Sequence, residues 1–320
     1  MKPSMLFLTL LLLVTASLCW AQQPYQPNGE VDLIPVSGKV YLLRSNSRIG
    51  NPNIAAFVGT DGILLVDASF ASFAGKVTAK LKELSSARIK FVVNTHWHGD
   101  HTGGDEWFGP DATIVARSKT RERLMKQGLL EDNGRLLATK GLPTITFDSD
   151  LAFYFNDEEV RVIAPPPGHT DGDAIVYFAK SHVLAIGDYF FVDRFPVIDV
   201  EESGANLEGY LKTIKYLIDN FPSDTKIVPG HSAFWPGELK VSQLTDLKAY
   251  YEILQDSITS IRRRMAEGQS LEQIQKSGLP ERFNAFEQRP RFVSAAKWIE
   301  SVFNNLKSIG TKTQDHRLKN

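Results

Sequence analysis

Residues 91–104, Phe-Val-Val-Asn-Thr-His-Trp-His-Gly-Asp-His-Thr-Gly-Gly, constrain this chain more than any other stretch. Phe91, Val92, Val93 and Thr95 are apolar or β-favouring and predict a short buried strand. His96, His98, Asp100 and His101 then crowd into six residues. In extended backbone, side chains at i, i+2 and i+4 share one side, so His96, His98 and Asp100 can converge on a point. On a helix, residues two apart do not face each other, and the same spacing would scatter them. Gly99 permits a turn that brings His101 beside Asp100. Three imidazoles and a carboxylate at this density make a ligand set for a divalent transition metal.

Composition bounds the partners. With 42% hydrophobic and 23% charged residues in 320, the chain fits an ordinary globular protein of one large or two small domains. A formal charge of −1 gives no electrostatic case for nucleic acid or an anionic membrane, and leaves a small-molecule substrate as the expected partner. Residues 1–21 read as a secretory signal: Lys2, a mostly apolar run over 6–18, then Cys19 and Ala21 at the small-residue positions before a cut. That run is short for a membrane span of about 20 residues, so no stable insertion is expected after cleavage. The chain is therefore expected to be exported, periplasmic or extracellular. Cys19 is the only cysteine and leaves with the signal, which removes both disulfide and thiolate from the mature chain.

Residues 22–30 form a polar, proline-containing leader. Short strands are predicted over 31–34, 40–43, 55–58 and 63–66, the last pair joined by the hairpin signal Gly59-Thr60-Asp61-Gly62. A helix over 73–84 puts Val77, Leu81 and Leu84 on one face. Beyond the histidine stretch come a strand over 113–116, a helix over 119–127 and a polar, mobile connection over 131–141. Five strands follow at 144–147, 151–155, 160–163, 175–178 and 183–186, then an amphipathic helix over 207–218 and a strand over 226–228. From 238 onward the pattern is helical, over 241–265, 271–277 and 293–306, with a frayed tail at 307–320. The order of elements predicts a layered sandwich with helices outside.

Three later places put a ligand-type residue just after a strand, among glycine or proline: Pro167-Gly168-His169, Gly187-Asp188-Tyr189 and Pro229-Gly230-His231. With these, five of the seven histidines stand at predicted strand ends, where loops on a rigid scaffold build sites. His182 and His316 lack a glycine turn and read as structural or surface residues.

The run His96-Trp97-His98-Gly99-Asp100-His101, followed in order by Gly168-His169, Gly187-Asp188 and Gly230-His231, resembles the metallo-β-lactamase superfamily over roughly residues 31–235. The resemblance implies an α+β fold, an αββα four-layer sandwich over 31–236, with 237–306 as a C-terminal helical extension packed on it. It implies a site for two zinc ions, with iron or manganese as alternatives. His96, His98 and His169 would bind the first metal, Asp100, His101 and His231 the second, and Asp188 would bridge them. Asp67 matches the family's buried carboxylate that braces the ligand loop. The implied chemistry is hydrolysis, a hydroxide shared by the metals attacking the carbonyl of a lactam, lactone, ester or thioester, with Asp100 as a catalytic residue.

Departures from the pattern bear on the substrate. One β-lactamase subgroup carries cysteine at the position of Asp188 and lysine three residues on, where this chain has Phe191. The bridging aspartate instead resembles glyoxalase-II-type thioesterases and lactonases. A true β-lactamase conferring antibiotic resistance, an iron-dependent sulfur dioxygenase, and a non-catalytic protein docking partners through its C-terminal helices are the alternatives. Trp97, Trp107, Phe108, Phe190, Phe191 and Trp235 are candidates to line an apolar pocket, and Arg194 is the basic residue nearest to Asp188 in the following sequence.

Overall fold

The computed structural model describes residues 29–47, 50–127, 139–233, 241–283, 286 and 293–317. The signal segment, Cys19, Trp235 and most of the connection 131–141 lie outside the described residues. Among the described residues, no helix is long and apolar enough to cross a membrane.

Two sheets stack face to face. The first runs in order β1 (Val31–Ser37), β2 (Val40–Ser45), β3 (Asn53–Gly59), β4 (Gly62–Val66), β5 (Ile89–Val93), β6 (Thr113–Arg117) and β7 (Ile145–Phe147). Its first four strands are antiparallel, and β4 to β7 are parallel. The second comprises β8 (Leu151–Phe155), β9 (Glu158–Ile163), β10 (Ile175–Phe178), β11 (Val183–Ala185), β12 (Lys226–Val228) and β13 (Ser242–Gln243), neighbours in that sequence order. Only the β11–β12 pair in it is parallel. The helix Ala74–Leu84 makes the crossover from β4 to β5, and Leu207–Asn220 the crossover from β11 to β12.

Strand alternation sorts the core into three layers. Leu64 and Val66 of β4 point inward with Phe57, Val93, Phe155 and Phe178, filling the space between the sheets. Ile63 and Leu65 of the same strand point outward against Val77 and Leu81 of the helix Ala74–Leu84. The outer face of the second sheet, through Ile175, Tyr177 and Leu184, is covered by Leu207–Asn220, Leu244–Ala266 and the helix Ala295–Arg317. The result is the αββα layering expected from the sequence, with the C-terminal helices sharing the second sheet's outer core.

Three expectations are corrected. Thr95 is not in the strand, which ends at Val93. The helix expected from 241 begins at Leu244, because Ser242 and Gln243 pair with β12 as an edge strand. The last helix continues to Arg317, so the chain does not fray at 307.

Candidate metal centre

The ligand-type residues gather at one edge of the sandwich, where chain leaves the carboxyl ends of β4, β5, β9, β11 and β12. Four of these strands belong to the parallel pairs, whose carboxyl ends are where open α/β sheets place ligands. Two groups form. His96, His98, His169 and Asp188 make one, and Asp100, His101 and His231 the other, with ligand atoms inside each group within 4.8 Å of one another.

Convergence of His96, His98 and Asp100 on one point is corrected. The chain bends over residues 95–97 and His98 alone is extended before Gly99–Thr102, a helical turn closed by His101 N–H to His98 C=O at 3.0 Å. The turn swings Asp100 away from His96 and His98, and its Oδ2 sits 3.2 Å from His231 Nε2.

Asp188 stands between the groups and divides its two oxygens between them. Oδ2 lies 3.2 Å from His169 Nε2 and 3.7 Å from His96 Nε2. Oδ1 lies 3.2 Å from His101 Nε2 and 3.4 Å from His231 Nε2. Glycines make this approach feasible. Gly187 takes φ of +49°, and a Cβ on Gly230 would fall 2.1 Å from Asp188 Oδ1.

The backs of the rings decide where their protons sit. Asp67 Oδ1 accepts from Thr95 N–H at 2.7 Å, and Oδ2 accepts from the Thr95 hydroxyl and His101 Nδ1, each at 2.8 Å. The Thr95 hydroxyl has given its one hydrogen to Asp67, so at 3.0 Å it accepts from His96 Nδ1. His169 Nδ1 donates to the Val197 carbonyl at 2.9 Å. His98 is reversed: its Nδ1 faces inward, 3.0 Å from both His96 Nε2 and His169 Nε2, and its Nε2 shares a hydrogen bond of 3.2 Å with Ser203 Oγ. Asp67 holds this arrangement from a left-handed backbone, φ +67°, a conformation kept where the surroundings demand it.

Outer hydrogen bonds to a carboxylate, a carbonyl and a spent hydroxyl therefore leave the inner nitrogens of His96, His101 and His169 as lone pairs toward the centre of each group, and His98 points Nδ1 the same way. Ligands about 2.0–2.1 Å from a tetrahedral zinc ion stand about 3.3 Å from each other. The separations of 3.0 to 3.8 Å in both groups match that spacing. The donor set, nitrogen and carboxylate oxygen, suits zinc. The residues fit two metal ions.

Electrostatics follow from burial and crowding. Burial, with His101 beside it, holds the His96 ring well below its ordinary pKa. Burial and neighbouring His169 bring His98 down to about 3. Burial is the largest influence on His101, His169 and His231 and disfavours their charge, but Asp188 together with the other carboxylates and hydrogen bonds around each ring raises all three. Burial pushes the Asp188 carboxyl up, and His231, His101 and His169 pull it well below the usual carboxylate range. Asp100 is lowered as well, because His101 and His231 outweigh its burial.

The aromatic candidates separate. Phe108 and Phe190 are core residues, and Trp107 is exposed beside the helix Ala74–Leu84, hydrogen-bonded to Thr78. Phe191 is buried and stacks on His231, centroids 5.2 Å apart and planes 7° from parallel. Trp97 adjoins His98, with the Arg123 guanidinium 5.7 Å from its ring. Arg194 is buried and donates to the Val192 and Ser232 carbonyls, which removes it from the mouth of the site. His182 pairs with Asp224 near the surface, as a structural residue. Sequence reasoning missed Thr95 as a proton-ordering residue and missed Ser203 altogether. Thr95 lies inside the motif, whereas Ser203 carries no local signal.

Residues 48–231 match the family model described as the metallo-β-lactamase superfamily. A Pseudomonas aeruginosa protein named metallo-β-lactamase type 2 is 26% identical over 144 residues, 45% of this chain and 52% of that one. A hydroxyacylglutathione hydrolase from Prochlorococcus marinus is 26% identical over 218 residues, 61% of this chain and 75% of its own length. The chain thus spans about half the length of the first relative and three quarters of the second. Among solved structures, a metallo-β-lactamase from Pontibacter korlensis superposes with a TM-score of 0.59 at 21% identity, over 71% of this chain and 99% of that one. The DIM-1 metallo-β-lactamase superposes at 0.56 with 18% identity, over 70% and 96%. Below 25% identity these two show the fold alone, and the αββα layering agrees with them. The family model covers more than half of the chain, and the chain belongs to the metallo-β-lactamase superfamily.

Proposed function

We propose that this chain is an exported hydrolase with a dinuclear zinc centre that opens a carbonyl bond in a lactam, lactone, ester or thioester. His96, His98 and His169 would hold the first ion and Asp100, His101 and His231 the second, with Asp188 between the two groups. The observation that carries the reading is the division of Asp188, one oxygen facing each group. Divalent cations bound there would supply a water whose pKa falls from ~15.7 toward ~7 and a Lewis acid for a carbonyl oxygen.

The chain's own residues supply position and access. Asp67 and Thr95 orient His96 and His101 from behind. Asp100 is the catalytic candidate: its side chain is 22% exposed, whereas those of His101, Asp188 and His231 are shut in. It can therefore meet a substrate, as a carboxylate that His101 and His231 keep ionised. Phe191 supplies an apolar wall against His231 where one β-lactamase subgroup has a carboxylate-binding lysine. That favours substrates whose recognition near the second metal is apolar. Residues 31–236 act as the hydrolytic sandwich and 237–306 as its cover. Export rests on the pattern of residues 1–21.

The test is metal analysis followed by turnover with a chromogenic cephalosporin, aryl esters, lactones and thioesters. The expected result is two zinc ions per chain, turnover abolished by a chelator, and loss of activity in Asp100→Ala and Asp188→Ala. Turnover that survives both variants overturns the assignment. Bound iron with oxygen uptake on a persulfide would instead support the dioxygenase reading.

A further inference from the structure

The two sets of outer hydrogen bonds come from different parts of the chain. Asp67 serves His96, through Thr95, and His101 directly. The other two rings are held by one short segment a hundred residues away from His98. In residues 197–203 the Val197 carbonyl takes His169 Nδ1–H and the Ser203 hydroxyl is hydrogen-bonded to His98 Nε2. Ser203 is buried.

This segment is fastened at both ends. Asp199 caps the short helix Val200–Ser203, its carboxylate accepting from Glu202 N–H at 2.9 Å. The Ser203 carbonyl accepts from Asp171 N–H at 3.1 Å, and Asp171 is two residues from His169. Arg123 grips Asp171 through Nε at 2.6 Å and Nη2 at 2.8 Å and also donates to the Glu202 carbonyl. From the opposite side, Ser301 of the helix Ala295–Arg317 donates to the Ile198 carbonyl at 2.7 Å.

We propose that Ser203 is a positioning residue of the metal centre. Its hydroxyl holds His98 in the tautomer that turns Nδ1 inward, and the Ser301 bond ties that restraint to the C-terminal helices. The inference rests on the dinuclear reading above. Without the Ser203 acceptor nothing in the segment selects Nε2–H over Nδ1–H on His98, and a proton on Nδ1 would block its ligand atom. The two rings that this segment holds, His98 and His169, both belong to the first group, so the restraint acts there.

The experiment uses the full chain and measures two stepwise zinc dissociation constants by chelator competition, with 15N spectra of the histidine rings. Removing an outer partner of a metal-bound histidine typically weakens metal binding by about 10- to 100-fold. Ser203→Ala is expected to weaken one zinc ion by about that factor and leave the other unchanged. Ser203→Cys, which keeps the volume with a weaker acceptor, should fall between. The His98 Nε2–H resonance should be sharp in the wild type and lost to solvent exchange in Ser203→Ala. Unchanged constants and an unchanged resonance in both variants overturn the proposal. A wild-type chain that takes up no zinc overturns the dinuclear reading instead. The resonance, recorded without metal, then still decides for or against Ser203.

Discussion

Where each ring proton sits governs how the cluster meets a cation. His101, His169 and His231 have raised pKa values because Asp188, the other nearby carboxylates and their hydrogen bonds together outweigh burial. A raised histidine stays protonated, and contributes stability, below its unfolded value; that contribution is lost as pH rises through the folded value. A metal ion needs the same nitrogens unprotonated, so zinc affinity should rise with pH through that window and zinc uptake should release protons. Calorimetry in buffers of different ionisation heat checks this: proton release is expected near neutral pH, and none would mean that the three rings are already neutral. His96 and His98, held low by burial, should contribute nothing to the release. At this scale the seven ligand-type residues were legible because histidine and aspartate beside glycine at strand ends are conspicuous. Their protonation was not, because it depends on Thr95, Val197 and Ser203, which become partners only when distant loops meet.

Elements act by holding strand ends still. Leu207–Asn220 does so through Tyr210, whose hydroxyl donates to the Asp188 carbonyl at 3.0 Å and whose ring stacks on Tyr189 at 5.1 Å. Tyr210→Phe keeps the ring and leaves that buried carbonyl without this donor, which should destabilise the chain by about 1–3 kcal/mol. Urea unfolding measures the loss, and an unchanged midpoint would show that another donor takes over. Most strands and helices were legible from alternation and helical period. The turn Gly99–Thr102 was not, since four residues carry too little periodicity to be distinguished from extended chain. Strand β13 was hidden for a related reason: Ser242 and Gln243 have no strand preference and pair only because β12 leaves an edge open.

Taken whole, the molecule keeps its C-terminal helices as part of the core. Trp298 is fully buried, stacks on Phe195 with centroids 5.2 Å apart, and donates from Nε1 to Ser257 Oγ at 3.0 Å. Trp298→Ala should remove about 3–5 kcal/mol of stability, read by thermal or denaturant unfolding. An effect below about 1 kcal/mol would mean that the helices rest on the sandwich without supporting it. The sequence by itself determined the layers and the ligand inventory, because alternating strands, amphipathic helices and glycine-flanked histidines are local patterns that survive without a partner. Only the tertiary structure decided that Thr95 orders the proton on His96, that Val197 stands behind His169 and that Ser203 stands behind His98. These are contacts between loops from different strands, and their geometry is set by how the two sheets stack.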